Sequence, residues 1–599
     1  MALKETWNLK DLFGGDIESK ELEEAFHKSD EMIDEISNSF DQTELKDFPK
    51  IAQKLQDAEA NLGEISSFIG MWQAAFYSDS RVNVKYGQFQ DLYLKLIQLE
   101  QSWGRKLAEL SDDEFNELLK NPQMESIQFT LKEQRKQAQR LLDPQTEYFI
   151  QKLQQDALNA WSSHYETIAS GLKTSYTDEN DQNHEVSAGQ ALNLLDSIAN
   201  PAARKNLMTN YEKMWGSAEN LSGDTLNHLA GARLTEYQAH KYQDFLDYPL
   251  ELNRMSRKTL DTMWHVVSEN KEMLVKFLNR KARLLKLPTD KISWQDQSAP
   301  LDLPGYKSRQ LTYEEAADII VTNFTKFSPK MGKVAKYAFE HQWIEAEDRP
   351  GKQPGGFETP LPVSKEARIF LTFTGSVNDA ATIGHELGHA FHTMQMYDLP
   401  LWRQNYAMNV AETASTFAET IINNANVESA KSNAEKLTLL DAKMVNAVAM
   451  FMNIHARFIF EKDFYTERQK RIITPAELNK MMINAQKEAF AGALDENGYH
   501  PHFWTSKLHF YIDGVPFYNF PYTFGYLFSL GIYAFAKKSG DNFEDQYISL
   551  LRDTANMNVE ELAKKHLNVD LTKEDFWQDG ADLIKQDIDE YIKLSEEFI

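Results

Sequence analysis

The 599 residues are 42% hydrophobic, 12% aromatic and 26% charged, which supplies ample apolar material for large cores and excludes a disordered chain. A formal charge of −26 repels phosphate backbones, which are bound through Lys and Arg, so nucleic acid is not an expected partner. The absence of cysteine removes disulfides, thiolate metal sites and a cysteine nucleophile, leaves His and carboxylates as the metal-binding side chains, and suits a reducing cytoplasm.

By length the chain should hold several packed subregions. Its start, Met1-Ala2-Leu3-Lys4-Glu5-Thr6-Trp7, turns acidic and polar within twenty residues, so no secretory leader is expected. Residues 1 to 185 read as long amphipathic helices, for instance around Ile51 to Phe76 and Val84 to Leu110, with apolar residues recurring at three and four. The polar run from Thr174 to His184 suggests a loop or hairpin tip, and the division is placed there: an N-terminal helical domain over 1–185 and a catalytic domain over 186–599. Two Pro/Gly-rich connections follow, Ala299 to Gly305 and Arg349 to Gly356. The second lacks the spacing of a phosphate-binding loop. Ile369 to Phe373 then reads as a short strand, Thr374-Gly375-Ser376 as a turn, and Ser376 or Asn378 as a helix cap.

The helix launched there carries His385-Glu386-Leu387-Gly388-His389. Four residues put both imidazoles on one face, about 6 Å apart along the axis, close enough to hold one ion. Glu386 lies about 100° round the helix, where it can reach a water without ligating the ion. This is the metalloprotease arrangement: zinc polarises the scissile carbonyl and acidifies a water, and the glutamate carries the proton to the leaving amine. Catalytic zinc uses three protein ligands. His392, seven residues from His385, is about 10 Å away along a straight helix and cannot be the third. Gln395 stands where the metzincin pattern needs a histidine. Downstream, Glu412 and Glu419 lie seven apart on one face of a helical run. Glu412 is the expected ligand, because Ala411, Ala414 and Ser415 allow a close approach between helices and zinc gives a buried carboxylate its partner.

Toward the end, Gly514 to Ala536 contains no charged residue. Pro516 and Pro521 interrupt it, and the part beyond Pro521 spans about 22 Å against a hydrocarbon core of about 30 Å, so a buried helix is expected and no membrane span. Tyr518, Tyr522 and Tyr526 recur every four residues, a spacing that fits either an aromatic core stripe or phenols donating to an oxyanion. His500, His502 and His509 form a loose cluster that alone indicates no ligand set.

These segments together resemble the oligoendopeptidase F family, within the thimet oligopeptidase-like zinc peptidases. The resemblance rests on Gly351-Lys352, Gly355-Gly356-Phe357, the turn Phe373 to Ser376, His385 to His389, Ala411 to Thr416, and Phe524 to Ser529. It implies a mainly α, multi-helix zincin-type fold with a small β-sheet beside the active-site helix and a deep substrate channel. It also implies one zinc on His385, His389 and Glu412, Glu386 as general base, and His509 and Tyr526 in contact with the reacting carbonyl. The implied activity is endoproteolysis of short oligopeptides in the cytoplasm.

Overall fold

A computed structural model describes residues 3–40, 43–178, 182–304, 306–307, 309–539 and 543–599. Three long helices come first: α1 (Lys20–Phe40), α2 (Phe48–Ala75) and α3 (Arg81–Glu109). On α1 the buried side chains Leu22, Phe26, Ser29, Ile33, Ile36 and Phe40 alternate steps of four and three, the stripe of a helix packed on one side. Pro49 in the first turn of α2 occupies a position whose N–H has no helical acceptor. The polar run after Leu172 forms an antiparallel hairpin of β1 (Lys173–Thr177) and β2 (Asn183–Ser187). Residues 179–181, at the expected tip, lie outside the described residues, as does Gly305 in the first Pro/Gly-rich connection.

The helices α4 (Pro201–Ser217) and α5 (Glu219–Ala239) follow. A three-stranded sheet has the order β3 (Ile344–Glu345), β5 (Glu366–Phe370), β4 (Phe357–Leu361), with β3 parallel and β4 antiparallel to the central β5. The strand expected at 369–373 therefore starts three residues earlier. Its last part still pairs, since Leu371 and Phe373 donate to the carbonyls of Glu345 and Ala346 at 3.0 and 2.8 Å. Next come α6 (Val377–Met394) and α7 (Met408–Ser429). The helices α8 (Asn433–Val448) and α9 (Ile454–Arg468) are joined by a π-helical turn, Ala449–Asn453, and α10 (Phe520–Ser539) begins just after Asn519. The chain is mainly helical, with only these short strands among the described residues.

Two compact units form. One contains Met1–Leu141, Ser308–Ala425 and Ala536–Asn568; the other contains Leu142–Lys307, Asn426–Phe535 and Val569–Ile599. Residues 1–185 contribute to both units, as do residues 186–599. In the first unit α2 supports the sheet: the Glu64 carboxylate accepts from the backbone of Val363 and Ser364 at 2.6 and 2.9 Å, and Ser67 donates to the Pro360 carbonyl at 2.8 Å. Lys352, in the second Pro/Gly-rich connection, donates to the carbonyls of Leu371 and Glu347 at 2.7 and 2.8 Å, so its amine ties the loop to the strand end.

Among the described residues one helix, Asn433–Arg468, is long and apolar enough to cross a membrane, and half of its most apolar window is buried inside the fold. The charge-free run from Gly514 becomes helical at Phe520, and the tyrosines, glycines and proline of that helix keep it less apolar than a membrane span needs.

Candidate metal centre and its surroundings

Strand β5 leads into a turn at Gly375, whose φ of +90° and whose Cβ position, 2.8 Å from Gln310 Oε1, both favour glycine. Ser376 caps α6: its hydroxyl accepts from Asp379 N, and Asp379 accepts from Ser376 N, both at 3.0 Å. Nine residues on, His385 and His389 lie with ring centroids 5.0 Å apart and planes at 77°.

Helix α7 meets α6 at Gly388. A Cβ there would lie 2.5 Å from Ala414 O, 2.7 Å from Ser415 Cα and 2.8 Å from Ala418 Cβ, so only glycine permits this approach. It brings the Glu412 carboxylate to 3.3 Å from His385 Nε2 and 3.8 Å from His389 Nε2. One potential ligand atom from each of the three residues lies within 4.8 Å of the others. Two ligands held 2.0–2.1 Å from a tetrahedral zinc stand about 3.4 Å apart, so this donor set fits such an ion.

The partners of these groups fix their orientation. Glu419 takes His385 Nδ1 at 3.1 Å, which leaves Nε2 turned toward Glu412. Ser415 donates to Glu412 at 2.8 Å, and Asn423 donates to Glu419 at 3.3 Å. Burial disfavours charge on His385, yet Glu412 and Glu419 outweigh it and raise its pKa, the same preference for positive charge that a divalent cation satisfies. Burial lowers His389 to about 4, which keeps its imidazole neutral and able to ligate.

Glu386 is 6% exposed. Its carboxylate accepts from the backbone N–H of Glu358 on β4, and a Cβ at Gly356 would stand 3.4 Å from its Oε1. Burial first, and then the charge of Glu412, raise its pKa to about 7 against the pull of His385. Glu358 itself is raised to about 8 by burial, with the charge of Glu386 adding to the effect, so it is a protonated neighbour of that carboxylate. Nothing in the sequence singled out Glu358, because its position depends on the pairing of β4 with β5.

His392 is fully buried, with Nε2 3.1 Å from Leu551 O and 3.0 Å from Thr554 Oγ1, and its ring stacked on Tyr406 at 4.2 Å. In the second unit, His509 sits in the turn Leu508–Phe510 with its ring 4.8 Å from Tyr518 and 6.0 Å from Tyr522. Tyr518 precedes α10 but still stacks on Tyr522 at 5.1 Å. Tyr526 lies one turn further along, 6% exposed, with its ring edge-on to Phe451 at 6.4 Å. The cluster around His509 therefore gathers Tyr518 and Tyr522, and the ring contact described for Tyr526 is with Phe451. His500 and His502 share the Glu212 carboxylate, and His502 also reaches Glu219 at 3.2 Å.

A profile for peptidase family M3 matches residues 194–583, and one described as oligopeptidase F matches residues 106–173. Oligopeptidase PepF of Bacillus subtilis (strain 168) is 20% identical over 99% of this chain and 87% of its own length. A crystal structure of a Chlamydophila abortus protein superposes with a TM-score of 0.83 at 18% identity, covering 99% of both chains. That of oligoendopeptidase-F from Enterococcus faecium gives 0.68 at 16% identity, covering 96% of this chain and 98% of the other. At these identities the two structures establish a common fold.

Proposed function

Because the chain belongs to peptidase family M3 and is a metalloendopeptidase, we propose that it hydrolyses short oligopeptides with one zinc held by His385, His389 and Glu412 and with Glu386 as general base. The convergence of those three side chains beside the buried Glu386 carries this reading. When bound, zinc supplies Lewis-acid polarisation of the scissile carbonyl and lowers the pKa of water. Glu386 takes the proton of the attacking water and delivers it to the leaving amine. The Glu358 N–H fixes the Glu386 carboxylate, and the raised pKa of Glu386 suits a group that must both accept and release a proton near neutral pH. Glu419 and Ser415 hold His385 and Glu412 in the ligating orientation.

His509 and Tyr526 are proposed, by resemblance, to contact the reacting carbonyl, where a phenol or imidazole donor stabilises the developing oxyanion. The division at residue 185 is retained as the boundary of the catalytic region, in keeping with a family match that begins at 194. Cytoplasmic peptide turnover agrees with the lack of cysteine. Incubation with a mixed peptide library, with and without chelator, tests the reading. Internal cleavage of short peptides that stops on chelation and returns with zinc is expected; chelator-resistant cleavage refutes it.

A further inference from the structure

Three glycines in six residues, Gly351, Gly355 and Gly356, lead the chain into β4. Gly351 and Gly355 have φ of +87° and +99°, and a Cβ on either would meet nothing within 4 Å. Packing at these two positions cannot hold the segment, and glycine gives its backbone the widest freedom. Its far end is nevertheless placed closely. A Cβ at Gly356 would stand 3.4 Å from Glu386 Oε1 and 3.3 Å from Phe370 O, and two residues on the Glu358 N–H donates to the Glu386 carboxylate.

The group that holds this segment to the sheet is Lys352, whose side chain is 2% exposed. Its Nζ donates to Leu371 O at 2.7 Å, Glu347 O at 2.8 Å and Glu345 O at 3.4 Å, so the ammonium gathers three carbonyls at the ends of β3 and β5. The same ammonium lies 4.8 Å over the Phe370 ring, which stacks at 5.2 Å on Phe357, the residue between Gly356 and Glu358. Burial disfavours the charge and lowers the Lys352 pKa, while the Glu345 carboxylate, 3.6 Å away, opposes the shift. A neutral side chain would avoid that cost, but an ammonium supplies three donors from one point. On the other side of the loop Tyr77 N donates to Gly351 O and Gln353 N to Ala74 O, both at 2.9 Å, which joins the segment to the end of α2. All of these residues belong to the first unit, together with Glu386.

We infer that Lys352 is a positioning residue for the general base: by fixing the glycine segment on the ends of β3 and β5 it sets the Glu358 N–H, and through it the Glu386 carboxylate. This rests on the reading of Glu386 as general base and extends it to a side chain that acts only through the backbone of β4. The placement matters because a reacting group displaced by about 1 Å loses roughly 10²-fold in rate.

The test measures kcat, KM and zinc content of Lys352→Met on one fluorogenic peptide. The value of kcat should fall by about 10- to 100-fold, with KM within about twofold and about one zinc per chain, because a misplaced base loses rate and not binding. Lys352→Arg, which keeps the charge and several donors, should recover part of the loss. Glu386→Asp draws the carboxylate back from the Glu358 N–H by one methylene, so adding Lys352→Met to it should cost no more than about twofold. Should Lys352→Met fail to fold, Gly351→Ala strains the same segment from an exposed position and should show a smaller fall of the same kind. A folded, zinc-loaded variant with wild-type kcat overturns the positioning role. So does a penalty that is equal in both backgrounds, that appears in KM, or that follows zinc content. Glu386→Asp with an unaltered kcat would instead contradict the general-base reading itself, before any change at Lys352.

Discussion

Replacing Gly388 by alanine tests whether the approach of α6 and α7 builds the metal site. The added Cβ would stand 2.5 Å from Ala414 O, 2.7 Å from Ser415 Cα and 2.8 Å from Ala418 Cβ. Carbon contacts are comfortable from about 3.5 Å, so the helices must separate by roughly 1 Å. Two of the three obstacles are backbone atoms, and no rotamer change relieves them. Overpacking costs about 1–3 kcal/mol, offset by about 1 kcal/mol from the better helix propensity of alanine. The larger effect falls on the metal. Glu412 is two residues before Ala414, and ligand distances tolerate only about 0.2 Å, so zinc affinity should fall by roughly 10- to 100-fold. Gly384→Ala is the control: its Cβ meets Ile422 Cγ1 at 3.0 Å, a side chain that can rotate. Zinc competition with a chromophoric chelator and a melting curve read both quantities. Wild-type zinc affinity in Gly388→Ala would refute the claim that this contact sets the ligand geometry.

Glu412→Ala should lower zinc affinity far more than Glu419→Ala, which should cost about 10- to 100-fold by releasing His385; the opposite order in metal content would reassign the third ligand. Tyr526→Phe should keep zinc and KM while kcat falls by roughly 10² to 10³, as for one oxyanion donor. An unaltered kcat for Tyr526→Phe, with a large loss in Tyr522→Phe, would move that role to the phenol beside His509. Glu212→Gln should destabilise the second unit by about 3 kcal/mol near neutral pH, since it leaves His500 and His502 without their shared carboxylate. Burial opposes the charge on Glu212, but the two imidazoles hold it at about 2, so its stabilisation is complete above the unfolded value near 4.3 and disappears as pH falls toward 2. For His502 burial is outweighed by Glu212 and Glu219. Its raised pKa stabilises below the unfolded value near 6.5, and that share is lost as pH rises through the folded value. Melting temperatures from pH 3 to 9 should lose the acid slope of Glu212 in Glu212→Gln and keep a smaller His502 slope, which Glu219 still supports; an unchanged profile would show that the cluster does not govern the pH response.

What could be read in the residues was local. The spacing of His385 and His389 fixed their common face, and Ser376 with Asp379 set where α6 starts. The small residues of α7 signalled a close helix contact, although Gly388, the residue that meets them, attracted attention only as part of the motif. What stayed hidden depends on pairing over distance. Glu358 reaches Glu386 because β4 pairs with β5 in one register. Arg457 and Phe503 are far apart in the chain and meet where the guanidinium packs over the ring. The two units likewise interleave along the chain, and a polar hairpin at residue 174 carries no information about where segments far beyond it pack. The tyrosines around the start of α10 show the limit of periodicity: Tyr518, Tyr522 and Tyr526 share a spacing, yet Tyr518 lies before the helix, and its ring and that of Tyr522 are the ones described beside His509.

The most direct test of the account is the peptidase turnover of Glu386→Gln measured on protein whose zinc content is determined in the same sample. About one zinc per chain is expected, because none of His385, His389 and Glu412 is altered, together with a kcat reduced by at least about 10² through loss of the proton acceptor. Fully zinc-loaded Glu386→Gln that turns over at the wild-type rate would contradict it.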